Sequence, residues 1–272
     1  MSDLVLDRPV ARPARPETTG APLGAPVPRV DIAARGLGKC FGQTRIFSDV
    51  SFRLARSEAV ALVGANGVGK STLLRCIMGV IPATEGAVTL LGEDIAQGGA
   101  AARVLRSRVG FVAQKHNLVP CLSVLSNVIH GLLGQRAGMR HWSQALAPDA
   151  SRRAALEALE RVGLAHLAQR RADRLSGGQS QRVAIARAIV SQPEVLFADE
   201  PCASLDPQAG EDVMELFMDL ARERHVTVVF TSHNVDHALR YGDRVLGLAG
   251  GSMRLDATAA SLTAEDLRGL YD

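Results

Sequence analysis

The feature that most constrains the fold is one glycine-rich segment. It runs from Gly64 to Ser71, with glycine at its first and sixth positions and Lys70 before the serine. An unbroken apolar run over residues 59–63 precedes it, and a helix-forming stretch stopped by Gly79 follows it. A buried strand, a glycine-rich turn and a helix in this order predict a phosphate-binding loop. A glycine-rich turn with a solvent-facing lysine is the alternative, and the flanking strand and helix count against it.

Residues 64–71, here called the phosphate loop, have side chains and backbone suited to ATP and Mg²⁺. Glycine lets successive backbone N–H groups turn toward phosphate oxygens, and the N-terminus of the next helix adds positive charge. Lys70 would contact the β and γ phosphates, and the Ser71 hydroxyl would be a ligand of Mg²⁺, which prefers oxygen donors. The predicted ATP contacts in this segment are Gly64, Ala65, Asn66, Gly67, Val68, Gly69, Lys70, Ser71 and Thr72.

Two adjacent carboxylates follow a second apolar run. Residues 195–198 are apolar, and Asp199 and Glu200 come directly after them. Ligands of parallel sheets bind at the carboxyl ends of the strands, so these carboxylates are expected near the phosphate loop. We predict that Asp199 holds Mg²⁺, directly or through water, and that Glu200 orients and deprotonates the attacking water. An ordinary strand end before a turn at Pro201 is the alternative, which pairing with a phosphate loop disfavours.

Composition narrows the class of protein. The formal net charge of +3 is too small to indicate nucleic-acid binding, and none is expected. The four cysteines form no C-x-x-C pair, which favours a reducing cytoplasm over a disulfide framework or a zinc site. No apolar run approaches the roughly 20 residues that span a bilayer, so action at a membrane would require docking onto a separate integral protein.

Sequence patterns divide the chain into a tail and a domain with an insertion. Residues 1–28 hold six of the twelve prolines and predict a disordered tail. Residues 29–272 predict an α/β core with a mixed sheet, in which alternating apolar residues from Val30, and again over residues 46–54, indicate an antiparallel β element. Apolar residues at helical spacing predict an inserted helical subdomain at about residues 115–175.

A further group of residues resembles the ABC-type ATPases. Leu175-Ser176-Gly177-Gly178-Gln179 lies upstream of the carboxylate strand and matches the signature sequence of that family. In addition, Gln114 resembles the Q-loop glutamine, Ser204-Leu205-Asp206 the D-loop, His233 the switch histidine and Phe41 the aromatic residue that stacks on adenine. Ser180 departs from the family, in which many members carry glutamine. Each residue alone would be ordinary, so the resemblance depends on their joint occurrence in the family's order.

This resemblance implies a head-to-tail dimer that encloses ATP. Residues 176–179 of one subunit, here called the signature segment, would meet the γ-phosphate held by Lys70 of the other subunit. His233 would hold that phosphate, and Gln114 would sense it. The implied catalytic residues are Glu200, His233 and Gln114, the Mg²⁺ ligands are Ser71, Gln114 and Asp199, and the further ATP contacts are Phe41, Ser176, Gly177, Gly178, Gln179 and Asp206.

Other segments are similar to the ATP-binding subunits of phosphonate importers. They are residues 117–119, 122–128, 131–142, 233–241 and 262–271. The similarity implies an ATP-hydrolysing importer subunit for phosphonates or related organophosphorus anions, bound peripherally at the cytoplasmic face of the inner membrane. Its expected partners are a second copy, an integral permease and, indirectly, a solute-binding protein. The alternative is an ATPase subunit of a soluble complex that cleaves carbon–phosphorus bonds. An apolar groove for a permease helix would favour the importer.

Overall fold

The structure is a computed structural model that describes residues 29–95, 99–135, 139–142 and 144–271. The tail predicted over residues 1–28 lies outside the described residues, and so does part of the segment 131–142. Within the described ranges, no helix is both long enough and apolar enough to cross a membrane.

Ten strands in the described part of the chain form two sheets. In chain order they are β1 Val30–Phe41, β2 Thr44–Ala55, β3 Ala59–Val63, β4 Glu85–Leu90, β5 Glu93–Asp94, β6 Val109–Val112, β7 Val195–Ala198, β8 Thr227–Thr231, β9 Arg244–Ala249 and β10 Ser252–Thr258. The smaller sheet has the order β2-β1-β4-β5 and is antiparallel. The larger has the order β10-β9-β3-β8-β7-β6 and is parallel except between β9 and β10. The predicted α/β core with an antiparallel element is confirmed, and that element is a sheet of its own.

The inner strands of the larger sheet are buried on both faces. Every residue of β3, β7 and β8 is buried, as expected for unbroken apolar runs in a parallel sheet. Alternate residues of β3 enter different cores: Ala61 and Val63 pack on the side of the helical region, whereas Val60 and Leu62 pack on the side of the smaller sheet. The carboxyl ends of these parallel strands therefore meet at one well-supported edge.

The α-helices pack on both sides of the larger sheet. In chain order they are α1 Lys70–Ile77, α2 Gly99–Ser107, α3 Val124–Ile129, α4 Asp149–Arg161, α5 Gly177–Ile189, α6 Pro207–Glu223, α7 Val235–Tyr241 and α8 Ala264–Arg268. Helices α3 and α4 lie within the helical subdomain predicted at about residues 115–175, and both pack against α5, which begins just after it. The exact limits of that subdomain stay a prediction.

Candidate functional site

The phosphate loop joins β3 to α1 and depends on glycine at two crowded positions. Gly64 has φ +142°, and a Cβ there would lie 2.1 Å from the carbonyl oxygen of Leu248. Gly69 has φ +111°, and a Cβ there would lie 2.8 Å from Cγ2 of Ile46. Gly69 is also the N-cap of α1 and supplies no side-chain cap. The first N–H groups of α1 are therefore not capped by its side chain, as an anion-binding helix start requires.

Lys70 is the buried cation of the loop. Its Nζ donates hydrogen bonds to the carbonyl oxygens of Gly64 at 2.8 Å and Ala65 at 3.2 Å. The same atom lies 4.0 Å from Oε1 of Glu200. Burial lowers the pKa of Lys70, and the negative charges of Glu200 and Asp199 oppose that shift. The lysine is thus held at the loop by carbonyl dipoles and by the carboxylates at the end of β7.

A row of hydrogen bonds links the loop to both carboxylates. The Ser71 hydroxyl donates to Oδ1 of Asp199 at 2.9 Å, and the Thr231 hydroxyl donates to the same oxygen at 2.9 Å. The Thr231 hydroxyl oxygen also accepts the backbone N–H of Glu200 at 2.8 Å. Because Ser71 and Asp199 present adjacent oxygen atoms beside the loop, they fit the donor type that Mg²⁺ requires.

Three residues predicted to be catalytic come together at Glu200. The amide nitrogen of Gln114 donates to Oε2 of Glu200 at 3.1 Å, and Nδ1 of His233 lies 4.0 Å from the same oxygen. The His233 side chain is 56% exposed, so its ring faces solvent beside the carboxylate. In the described residues, no hydrogen bond joins Gln114 to Ser71 or Asp199. Its predicted role as a third Mg²⁺ ligand therefore stays a prediction.

The signature segment forms a separate polar cluster. Ser176 caps α5 in a capping box: its hydroxyl accepts the Gln179 N–H at 3.3 Å, and the Gln179 side-chain oxygen accepts the Ser176 N–H at 3.1 Å. A Cβ on Gly177 would lie 3.3 Å from Cδ2 of Leu205, and one on Gly178 would lie 3.9 Å from Ala209. No hydrogen bond or ion pair within the described ranges joins the signature segment to the phosphate loop. The chain therefore presents two clusters.

Phe41 and Asp206 lie on further elements. The Phe41 ring is 52% exposed at the end of β1, and the Lys39 ammonium lies 4.7 Å from the ring centroid. An exposed aromatic face is available for stacking on a base. Asp206 is the N-cap of α6, where its carboxylate accepts the N–H of Ala209 at 3.0 Å. The predicted ATP contacts of both residues stay predictions.

Sequence reasoning did not assign a role to Thr231 or Arg187. Thr231 ends an apolar strand and holds Asp199 and Glu200 together, as described above. Arg187 lies on α5 and donates to the carbonyl oxygens of His116 and Asn117, each at 2.7 Å. It ties the segment after Gln114 to the helix that begins with the signature segment, and burial lowers its pKa. A long cation on the apolar face of α5 was the available signal, because partly buried charges require partners.

Comparison with known proteins shows that most of the chain is similar to ATP-binding subunits of ABC transporters. A family model described as ABC transporter matches residues 47–203. The chain is 50% identical to the phosphonates import ATP-binding protein PhnC of Frankia casuarinae, covering 85% of this chain and 91% of that protein. It is 47% identical to the phosphate-import ATP-binding protein PhnC of Mycolicibacterium smegmatis, covering 89% of this chain and 92% of that protein. A solved dimeric ATP-binding cassette, in a post-hydrolysis state bound to ADP and phosphate, matches at 31% identity and a TM-score of 0.73, covering 84% of this chain and 98% of that chain.

Proposed function

The chain belongs to the ABC transporter family, and we propose that it is the ATP-hydrolysing subunit of an importer of phosphonates or related organophosphorus anions. The observation that supports its ATPase chemistry best is the hydrogen-bonded row of Ser71, Asp199, Thr231 and Glu200. In this row Ser71 and Asp199, the proposed Mg²⁺ ligands, and Glu200, the proposed general base, lie beside the phosphate loop.

The groups of the site divide the work of hydrolysis. Lys70 and the N–H groups at the start of α1 bind the phosphate chain, and Ser71 and Asp199 would hold Mg²⁺. When bound, Mg²⁺ supplies positive charge that offsets the charge of the phosphate oxygens. Glu200 orients the attacking water and accepts its proton. His233 and Gln114 lie at the same carboxylate oxygen, where the former would contact the γ-phosphate and the latter would sense it.

A second copy of the chain would complete the site. The signature segment has its own capping box and no bond to the phosphate loop in the described structure, so it is free to meet a phosphate held by another subunit. Its helix N-terminus favours negative charge. The solved relative is dimeric, which supports this arrangement. We infer a head-to-tail pair in which Lys70 of one subunit and Ser176 of the other share one ATP.

A shallow cavity is suited to a permease. It measures about 220 Å³ and is lined by His116, Asn117, Leu118, Pro120, Ala172, Asp173 and Ser180. Leu118, Pro120 and Ala172 make part of this lining apolar. A permease helix docked there would contact the segment that follows Gln114, which Arg187 ties to α5. The subunit would then act at the cytoplasmic face of the inner membrane, with a solute-binding protein as an indirect partner.

The transported solute is inferred from relatives alone, because the nucleotide site does not determine which solute is carried. One relative is named for phosphonates and another for phosphate, so phosphate is a second candidate solute. The names of these relatives describe import, and neither favours the carbon–phosphorus-cleaving complex.

Uptake measurements would separate the candidates. A strain lacking this chain would be supplied with radiolabelled methylphosphonate or radiolabelled phosphate, and initial uptake would be measured over seconds. We expect methylphosphonate uptake to fail and to return with the wild-type chain but not with Glu200→Gln. Loss of phosphate uptake alone would indicate the second solute. Normal uptake of both, with lost intracellular cleavage of methylphosphonate, would contradict import and support the enzyme complex.

A further inference from the structure

The last described helix is anchored beside the nucleotide site. Helix α8 begins with a capping box between Thr263 and Asp266, and Leu267 is fully buried. Leu270 packs on β9 at Gly247, where a Cβ would lie 2.5 Å from Cδ1 of Leu270. The glycine thus makes room for the leucine. These contacts fix the position of the next residue, Tyr271, relative to the larger sheet.

Tyr271 bridges the carboxyl ends of two neighbouring strands. Strands β3 and β8 pair in parallel, so Gly64 and Ser232, which follow them, emerge side by side. The Tyr271 hydroxyl donates to the carbonyl oxygen of Ser232 at 3.4 Å. Burial raises the pKa of Tyr271, a hydrogen bond from the Gly64 backbone opposes that shift, and the charge of Glu200 adds to it. The phenol therefore keeps its proton at neutral pH and remains a donor to Ser232.

The Ser232 carbonyl directly precedes His233, whose ring has little support of its own. That ring is largely exposed, and its Nδ1 lies 4.0 Å from Oε2 of Glu200. The Ser232 hydroxyl bonds the backbone N–H and carbonyl oxygen of Asn234, each at 3.0 Å, which closes a turn around His233. The direction of the imidazole therefore depends on the backbone of residues 232–234.

We propose that Tyr271 is a positioning residue for ATP hydrolysis, whose hydroxyl holds the Ser232 carbonyl so that His233 faces the phosphate chain beside Glu200. The proposal rests on the γ-phosphate role proposed above for His233. ATP binding depends mainly on Lys70 and the phosphate loop, whereas His233 acts on the phosphate that is transferred. The hydroxyl of Tyr271 should therefore affect kcat more than KM.

The test uses the purified full-length chain and Tyr271→Phe, which removes only the hydroxyl. Loss of one hydrogen bond that positions a catalytic group should lower kcat about fivefold, while KM for ATP stays within about twofold. The matched control is Tyr241→Phe, because Tyr241 is the other tyrosine of the chain and its hydroxyl bonds Glu211 at 2.9 Å, away from Ser232. The control should keep wild-type kcat, and thermal melting would show that both variants fold.

A double-mutant cycle distinguishes action through His233 from a general effect. Single-turnover hydrolysis of radiolabelled ATP would be measured for His233→Ala with and without Tyr271→Phe. If Tyr271 acts through His233, the second change has no further effect in the His233→Ala background. A wild-type kcat for Tyr271→Phe, a rise in KM alone, or an additive loss in the double variant would each overturn the proposal. Wild-type turnover by His233→Ala would instead refute the role of His233 in the proposed function.

Discussion

The two clusters of the candidate site satisfy their polar groups in different ways. At the phosphate loop, Ser71, Asp199, Thr231, Glu200 and Gln114 form one continuous row that joins four segments of the chain. At the signature segment, the capping bonds connect only residues three positions apart. The first cluster exists only when the whole core is folded, whereas the second is a local helix start.

This difference suggests which functions one chain can perform alone. The proposed ATP contacts of the phosphate loop and the proposed general base Glu200 lie together in one chain, so a single chain should bind nucleotide. The signature segment has no phosphate-binding partner within the described part of its own chain, so turnover should depend on a second copy. Variants of the two clusters should therefore separate binding from turnover.

Glu200→Gln should have the largest effect on turnover and should separate turnover from ATP binding most clearly. Removing the general base should lower turnover by roughly 10²- to 10⁴-fold, because the amide cannot accept the proton from water. ATP affinity should be kept, and the ATP-bound dimer should accumulate in size-exclusion chromatography. Glu211→Gln is the matched control, because Glu211 and Glu200 line one cavity at the end of β8, but Glu211 bonds His237, Arg240 and Tyr241. Wild-type turnover by Glu200→Gln would show that Glu200 is not the general base.

Lys70→Ala should instead weaken ATP binding, the step that must come before turnover. The phosphate chain loses its buried cation, and loss of charge-assisted hydrogen bonds of about 2–3 kcal/mol corresponds to roughly a hundredfold weaker ATP binding. Isothermal calorimetry would measure this affinity. Arg75→Ala removes an exposed positive charge from the same helix and should bind ATP normally. Equal affinity of Lys70→Ala and wild type would contradict the assignment.

Ser176→Ala should impair turnover while leaving ATP binding by the single chain intact. The loss of an N-cap costs about 1 kcal/mol of stability. Ser123→Ala removes the N-cap of α3 and should lose a similar free energy of unfolding. Only the signature variant should also lower turnover, by about tenfold if dimer closure loses about 1.4 kcal/mol. Equal turnover by the two cap variants would mean that Ser176 has a capping role only.

Thr231→Val should have the smallest effect on turnover and needs the closest control. Its hydroxyl donates to Asp199 and accepts the backbone N–H of Glu200. At the other end of β8, the Thr227 hydroxyl donates to Asp31 and accepts the backbone N–H of Ser57. Each valine should lower the free energy of unfolding by about 1–3 kcal/mol, because buried partners are left unpaired. Only Thr231→Val should lower kcat, by several-fold, in a steady-state phosphate-release assay. Similar kcat losses in both variants would indicate a stability effect.

The two threonines also show what the sequence can and cannot predict. The strand, loop and helix around Lys70 follow from local patterns, which the structure confirms. The capping boxes found at Ser176 and Thr263 are also local, because each joins residues three positions apart. Thr231 and Thr227 are both polar residues at the ends of one apolar run. Which of them meets Asp199 and Glu200 depends on strand order and direction, which local patterns do not specify.

Long-range contacts explain why the sequence did not predict roles for Tyr271 and Arg187. The bond between Tyr271 and Ser232 joins residues from separate elements, and the register of α8 on β9 sets it. The same holds for Arg187, whose acceptors are backbone carbonyls and carry no side-chain pattern. Asp199 and Glu200 were found because two carboxylates after a buried strand are a local signal. The contacts made by Thr231, Arg187 and Tyr271 exist only in three dimensions.

The left-handed backbone of Glu200 limits which residues a library of variants could accept there. Its φ is +47°, a conformation that glycine and asparagine adopt easily and β-branched residues rarely adopt. Selection for folding alone would therefore enrich glycine and asparagine at position 200 and deplete valine and isoleucine. Selection for transport would retain glutamate in spite of its backbone. Position 200 would then lie under two opposed pressures, because the role proposed for Glu200 requires a residue that the backbone conformation disfavours.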